Sequence, residues 1–160
     1  MQSPGDEGGV EYDSYVHLNV AGHWVLVLRD LPQDIPPEQR QKLARYSTPR
    51  RKATVARDMG ARGIIFVAGP NSKVRRELIR FDKAGSQASV SITAVTVSNQ
   101  VAESWMRSAD KDLAEIQKGL DDGSLQMGFP IEGVKVAAGV EIERQRGTGR
   151  NVISRLSAGE

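Results

Sequence analysis

The sequence predicts an α/β fold: one compact domain whose mixed parallel and antiparallel sheet is flanked by helices. Three observations predict it. WVLVL at Trp24–Leu28 and GIIFVAG at 63–69 are apolar without interruption and rich in β-branched residues. Unbroken hydrophobicity over so short a run marks strands covered on both faces, as in a parallel sheet between helices. A helical pattern separates the two, which makes a strand, helix, strand crossover of the right-handed kind. Beyond residue 134 the period becomes two: Val134, Val136, Ala138, Val140 and Ile142 alternate with Lys135, Ala137, Gly139, Glu141 and Glu143. That is the pattern of a half-exposed antiparallel strand, and residues 15–20 offer it a partner.

Each remaining element has its own signal. The connection 29–45 contains Leu31-Pro32 and Ile35-Pro36-Pro37, whose prolines forbid a continuous helix and leave only a short helical turn at 38–43. For the crossover helix, Ser47 or Thr48 serves as cap, Pro49 suits a first helical position, and Gly60 or Gly63 ends it. Ala53, Val55, Ala56 and Met59 give it a small-residue apolar face, with the arginines outward. Residues 90–97, VSITAVTV, read as a third strand. Ser98 then caps a helix carrying Val101, Ala102, Trp105 and Met106. Leu113, Ile116 and Leu120 define another, which Asp121-Asp122-Gly123 terminates.

A chain of 160 residues is one ordinary domain with room for one core. It is 39% hydrophobic and 26% charged, and no apolar run nears the roughly 20 residues of a membrane helix. The opening MQSPGDEGG lacks the basic and apolar regions of a signal peptide, so residues 1–11 read as a flexible tail. Lys and Arg number 22 against 20 Asp and Glu, but the cations cluster. Arg40, Lys42, Arg45, Arg50, Arg51, Lys52, Arg57 and Arg62 are opposed between 40 and 62 by Glu-free sequence and Asp58 alone. The plain reading is a solvated helix face. The alternative is an anion- or nucleic-acid-binding module using Arg45, Arg50, Arg51, Lys52 and Arg57. Tyr46 is the one aromatic near them, which argues against stacking on bases.

Sites of independent chemistry are not visible along the chain. Without cysteine there is no disulfide, thiolate nucleophile or Cys-bound zinc. His17 and His23 lack the spacing of zinc ligands and flank the first strand, where turn and edge roles are common. Gly85-Ser86-Gln87 and Gly123-Ser124-Leu125 lack the second glycine of a nucleophile elbow. Gly69-Pro70-Asn71-Ser72-Lys73 lacks the phosphate-loop pattern, and Asp121-Asp122-Gly123-Ser124 lacks the closing Glu of a calcium loop. A small hydrolase with a site assembled only in space is the remaining enzymatic alternative.

Several of these segments together resemble the protease-associated domain inserted in bacterial di-zinc aminopeptidases. VAGHWVLVLRD at 20–30 is similar to the opening strand of that family. RRKATVARDMGARGIIFV at 50–67 is similar to its helix and second strand, and SITAVTVS at 91–98 to its third. The likeness runs from about Tyr12 to Ile142, with His23 in place of the usual Lys and no proline in Ser91-Ile92-Thr93. It implies a protease-associated domain at 12–143, then a linker and the first strand of a peptidase domain at 144–160, in GTGRNVISRL. The implied function is that of a non-catalytic accessory domain of a secreted or periplasmic aminopeptidase. It would shape substrate access or bind protein partners. The implied partners are the parent enzyme's peptidase domain and a peptide or protein substrate, with no membrane and no nucleic acid. Zinc is implied only in the peptidase domain, and no cofactor in this chain. Parallel sheets present ligands beyond the carboxyl ends of their strands. The expected contact surface is therefore Arg29, Asp30, Pro70, Asn71, Ser72, Lys73, Ser98 and Asn99.

Overall fold

In the computed structural model, which describes residues 15–74, 76–80, 90–124, 126–141, 150, 151 and 153, the centre of the sheet is a strand with no wet face. This strand, β2 (Gly63–Val67), is buried at all five positions. It pairs in parallel with β1 (Trp24–Leu28), Trp24 opposite Gly63 and Leu28 opposite Val67. On its other side it pairs in parallel with β3 (Thr93–Thr96), Gly63 opposite Thr93 and Phe66 opposite Thr96. The order is β1-β2-β3.

Successive strand residues point to opposite faces, so one sheet serves two cores. On one face Val25 and Val27 of β1 and Ile64 and Phe66 of β2 meet Ala53 and Ala56 of helix α2 (Pro49–Asp58). On the other, Leu26, Leu28 and Val67 meet Ala102 and Met106 of α3 (Asn99–Arg107) and Leu113 of α4 (Leu113–Asp121). The alanines let α2 and α3 approach the sheet closely. Tyr15 and Leu18 close the α2 side, and Phe129 and Ile131 the α3/α4 side.

The helices begin and end as their boundary residues direct. Thr48 Oγ1 accepts the Arg51 N–H at 3.2 Å, with Pro49 as the first residue of α2. Gly60, at φ +82°, closes α2: its N–H donates to the Arg57 carbonyl and that of Ala61 to the Ala56 carbonyl, a Schellman pairing. Ser98 caps α3. The Asp112 carboxylate accepts the Ala114 and Glu115 N–H groups at 2.7 and 3.0 Å to start α4, and Gly123 at φ +80° ends it. Asp121-Asp122-Gly123 is thus a helix terminus.

Four features differ from the sequence-based expectations. The 38–43 turn extends to an eight-residue helix, α1 (Pro37–Ala44), because Pro37 occupies its first turn, where a missing N–H costs nothing. Met59 is exposed, since α2 stops one residue before it. The third strand is shorter than 90–97. Every strand pairing among the described residues is parallel: residues 15–20 contribute a turn and core side chains, and residues 134–141 join no ladder, with Val140 exposed. Residues 1–11 lie outside the described residues, as does residue 142. In 144–160 only 150, 151 and 153 are described, all exposed.

Gly63 shows how tightly the first two strands meet. A Cβ there would collide with the Trp24 indole lying across it. Gly63→Val is therefore expected to lower unfolding free energy by about 1–3 kcal/mol, the usual cost of overpacking. Urea denaturation checks this, and an unchanged midpoint would contradict the packing.

Candidate functional site

Three loops leave the carboxyl ends of the strands and gather at one end of the sheet. Their backbone groups have left the ladder and need other partners. Asn99 Oδ1, at the start of α3, accepts the Gly69 N–H at 2.9 Å. Gln117, buried on α4, accepts the Asn71 N–H at 2.9 Å through Oε1, while the Asn71 side chain donates to the Ala114 carbonyl at 3.1 Å. Gly69 has φ +87°, and a Cβ there would strike the Gln117 amide, so glycine is required by both conformation and space. Asp121, also buried, accepts the Gln33 N–H at 2.8 Å and ties the first loop to α4.

Arg29 organises the first loop. Its side chain is only 11% exposed and forms a salt bridge to Asp30 at 3.1 Å. The other arm of the guanidinium donates to the carbonyls of Arg76 and Glu77, both at 3.0 Å. Glu77 in turn accepts the Asn99 N–H at 3.1 Å, a carboxylate at the positive end of α3. One largely buried arginine side chain thereby holds residues 76–77 against the end of the sheet.

Lys52 was expected on the outer face of α2 and is not there. Its Nζ reaches the carbonyls of Leu28 and Arg29 at 2.7 and 3.1 Å. Burial lowers its pKa, and the nearby Asp30 carboxylate opposes that shift. Arg57 is likewise occupied, by Asp58 and by the Val90 carbonyl, and Arg45 lies 5.0 Å over the Tyr46 ring. Arg50 and Arg51 remain exposed. The basic stretch is therefore not a single surface.

Beside the clamp lies an open cleft of about 850 Å³, bounded by the end of β1, the start of α2 and residues 73, 74, 76 and 78–80. Arg29, Asp30 and Lys73 line it, joined by Arg40 from the basic stretch and by Arg76 and Arg80, which the sequence did not single out. Arg40 donates through one nitrogen to the carbonyls of Pro32 and Gln33. Lys73, Arg76 and Arg80 form no ion pair among the described residues. Of the other expected contact residues, Ser72 sits 3.5 Å from Asp30, while Pro70, Asn71, Ser98 and Asn99 lie outside the cleft lining.

The histidines stand apart from this end of the sheet. His17 occupies a turn at φ 66°, and His23 Nδ1 lies 2.9 Å from the Ala21 carbonyl. Among the described residues no three His, Asp or Glu side chains converge as a metal-binding group. Family models, curated proteins and solved structures offer no match to this chain.

Lys52 yields a pH prediction. Its folded pKa lies below the 10.5 of the unfolded chain, so between those two values the unfolded state holds the extra proton. Stability from this group thus rises with pH through that window. Below the window the cost of burying the charge is fully present. Relative to Lys52→Gln, the natural chain is expected to gain stability as pH climbs toward 10.5. Paired chemical denaturation series check it, and a difference that is flat or falls with pH would contradict the burial of a charged Lys52.

Proposed function

We propose that this chain is a non-catalytic accessory domain of the protease-associated type, part of a zinc aminopeptidase working outside the cytoplasm. One observation carries the reading. The two stretches that resemble that family, 20–30 and 50–67, fall on β1 and on α2 with β2, as a single parallel unit in unbroken register. In this reading antiparallel strands add to the outer edges of the three parallel ones, completing a mixed sheet. Zinc belongs to the peptidase domain, and no residue of this chain is assigned to it.

The domain's work is to contact the peptidase domain and to shape the approach of a peptide or protein substrate. The surface for that work is the carboxyl end of the sheet. There a largely buried arginine side chain, a carbonyl-bound lysine and two side-chain amides fix the loops, so that Asp30, Ser72 and Lys73 are presented on a rigid base. Rigid presentation is what a contact surface requires, because ordering a loose loop on binding costs free energy.

Amide chemical-shift mapping with the separately produced peptidase domain tests this. Perturbations are expected at Arg29, Asp30, Asn71, Ser72, Lys73, Ser98 and Asn99. Shifts confined to the opposite end of the strands, at Ala21–His23 and Gly60–Arg62, would overturn the assignment of the surface. The chain supplied with zinc is expected not to release amino acids from a peptide. Turnover above a zinc-only control would overturn the non-catalytic reading.

A further inference from the structure

We infer that the cleft at the end of β1 is a docking groove for an acidic peptide segment, one that carries carboxylates interspersed with aliphatic side chains. Its charge is one-sided: among the described residues Arg29, Arg40, Lys73, Arg76 and Arg80 line it, against the single carboxylate of Asp30. Arg29 is consumed by Asp30 and two carbonyls. Lys73, Arg76 and Arg80 are exposed and without ion pairs among the described residues, so their attraction is unspent.

The start of α2 adds to the same field. Thr48 and Pro49 line the cleft, and Arg50, Arg51 and Lys52 follow with no acidic residue in the first turn. Cations at the positive end of a helix dipole oppose helix formation, and an external carboxylate would relieve the conflict. The groove is not purely polar. Leu31, Val74, Leu78 and Ile79 also line it, and the last three remain exposed. Exposed aliphatic surface beside free cations suits a polypeptide with both kinds of side chain. Among the described residues no aromatic side chain lines the cleft to stack on a base, which disfavours nucleic acid.

This inference deepens the accessory-domain reading and rests on it only in taking the occupant to be a polypeptide. Fluorescence anisotropy with the full chain tests it, using a fluorescein-labelled Glu-rich peptide with interspersed leucines. The same peptide with Gln for every Glu and an oligothymidylate of matched charge serve as competitors. The Glu peptide is expected to bind, to weaken as salt rises to about 0.15 M, and to outcompete both. Arg76→Glu with Arg80→Glu is expected to reduce its affinity about tenfold or more, the effect of roughly 1.4 kcal/mol. Arg107→Glu, on α3 outside the cleft, should leave it unchanged. Equal binding of the Gln peptide, tighter binding of the oligothymidylate, an unaffected double variant that melts normally, or no binding at all would each overturn the groove. These outcomes are read without the peptidase domain, so they are separate from the failure of the accessory-domain reading in shift mapping.

Discussion

β2 has water on neither face, and the arrangement of the other elements follows from that constraint. Five residues whose side chains are all buried must place every backbone N–H and carbonyl in a ladder, because an unpaired buried peptide group is costly. β1 and β3 supply those ladders from either side. Alternation along the strands then calls for an apolar layer above and below, and the small faces of α2 and of α3 with α4 provide them. Burying one Val, Leu or Phe side chain is worth roughly 1.5–3 kcal/mol, so no single contact holds the fold. The double coverage of one strand is what makes the contacts cooperate.

Parallel pairing has a second effect. It brings all three carboxyl ends to one edge, where the ladder stops and several backbone groups lose their partners together. Lys52 takes the carbonyls of Leu28 and Arg29, Asn99 takes the Gly69 N–H, and Gln117 takes that of Asn71. These side chains sit where a ligand-contacting residue would also sit, yet their bonds go to the protein's own backbone. What is left over is informative in its own way. The side chains of Lys73, Arg76 and Arg80 border the same edge with no ion pair among the described residues. Polar side chains that close the sheet and cations that face solvent thus share one edge.

The legible parts of the sequence were those with short-range causes. WVLVL and GIIFV marked β1 and β2 because uninterrupted β-branched runs have few other uses in so short a span. Thr48-Pro49 and Gly60 bounded α2 through local hydrogen bonds and backbone conformation. α1 was less visible because it buries no residue, so no apolar stripe announces it. The inward turn of Lys52 was hidden because a lysine stem can lie along apolar surface while its charge suggests solvent. Gln117 follows Ile116 inside an apolar face and carries no sequence mark of its bond to Asn71. Nor could local reading find the Arg29 clamp, whose acceptors lie 47 and 48 residues away. The alternation at 134–141 is real as a pattern, but a strand also needs an edge to pair with, and periodicity does not specify one.

Cross-strand proton contacts in the folded chain test the central claim most directly. Nuclear Overhauser spectra are predicted to link the backbone around Val25 with that around Ile64, and Leu28 with Val67, in same-direction sequence. The amides of β2 should also exchange last. Contacts running in the opposite sense, or β2 amides that exchange as fast as those of the exposed helix α1, would contradict a dry central strand between two parallel neighbours.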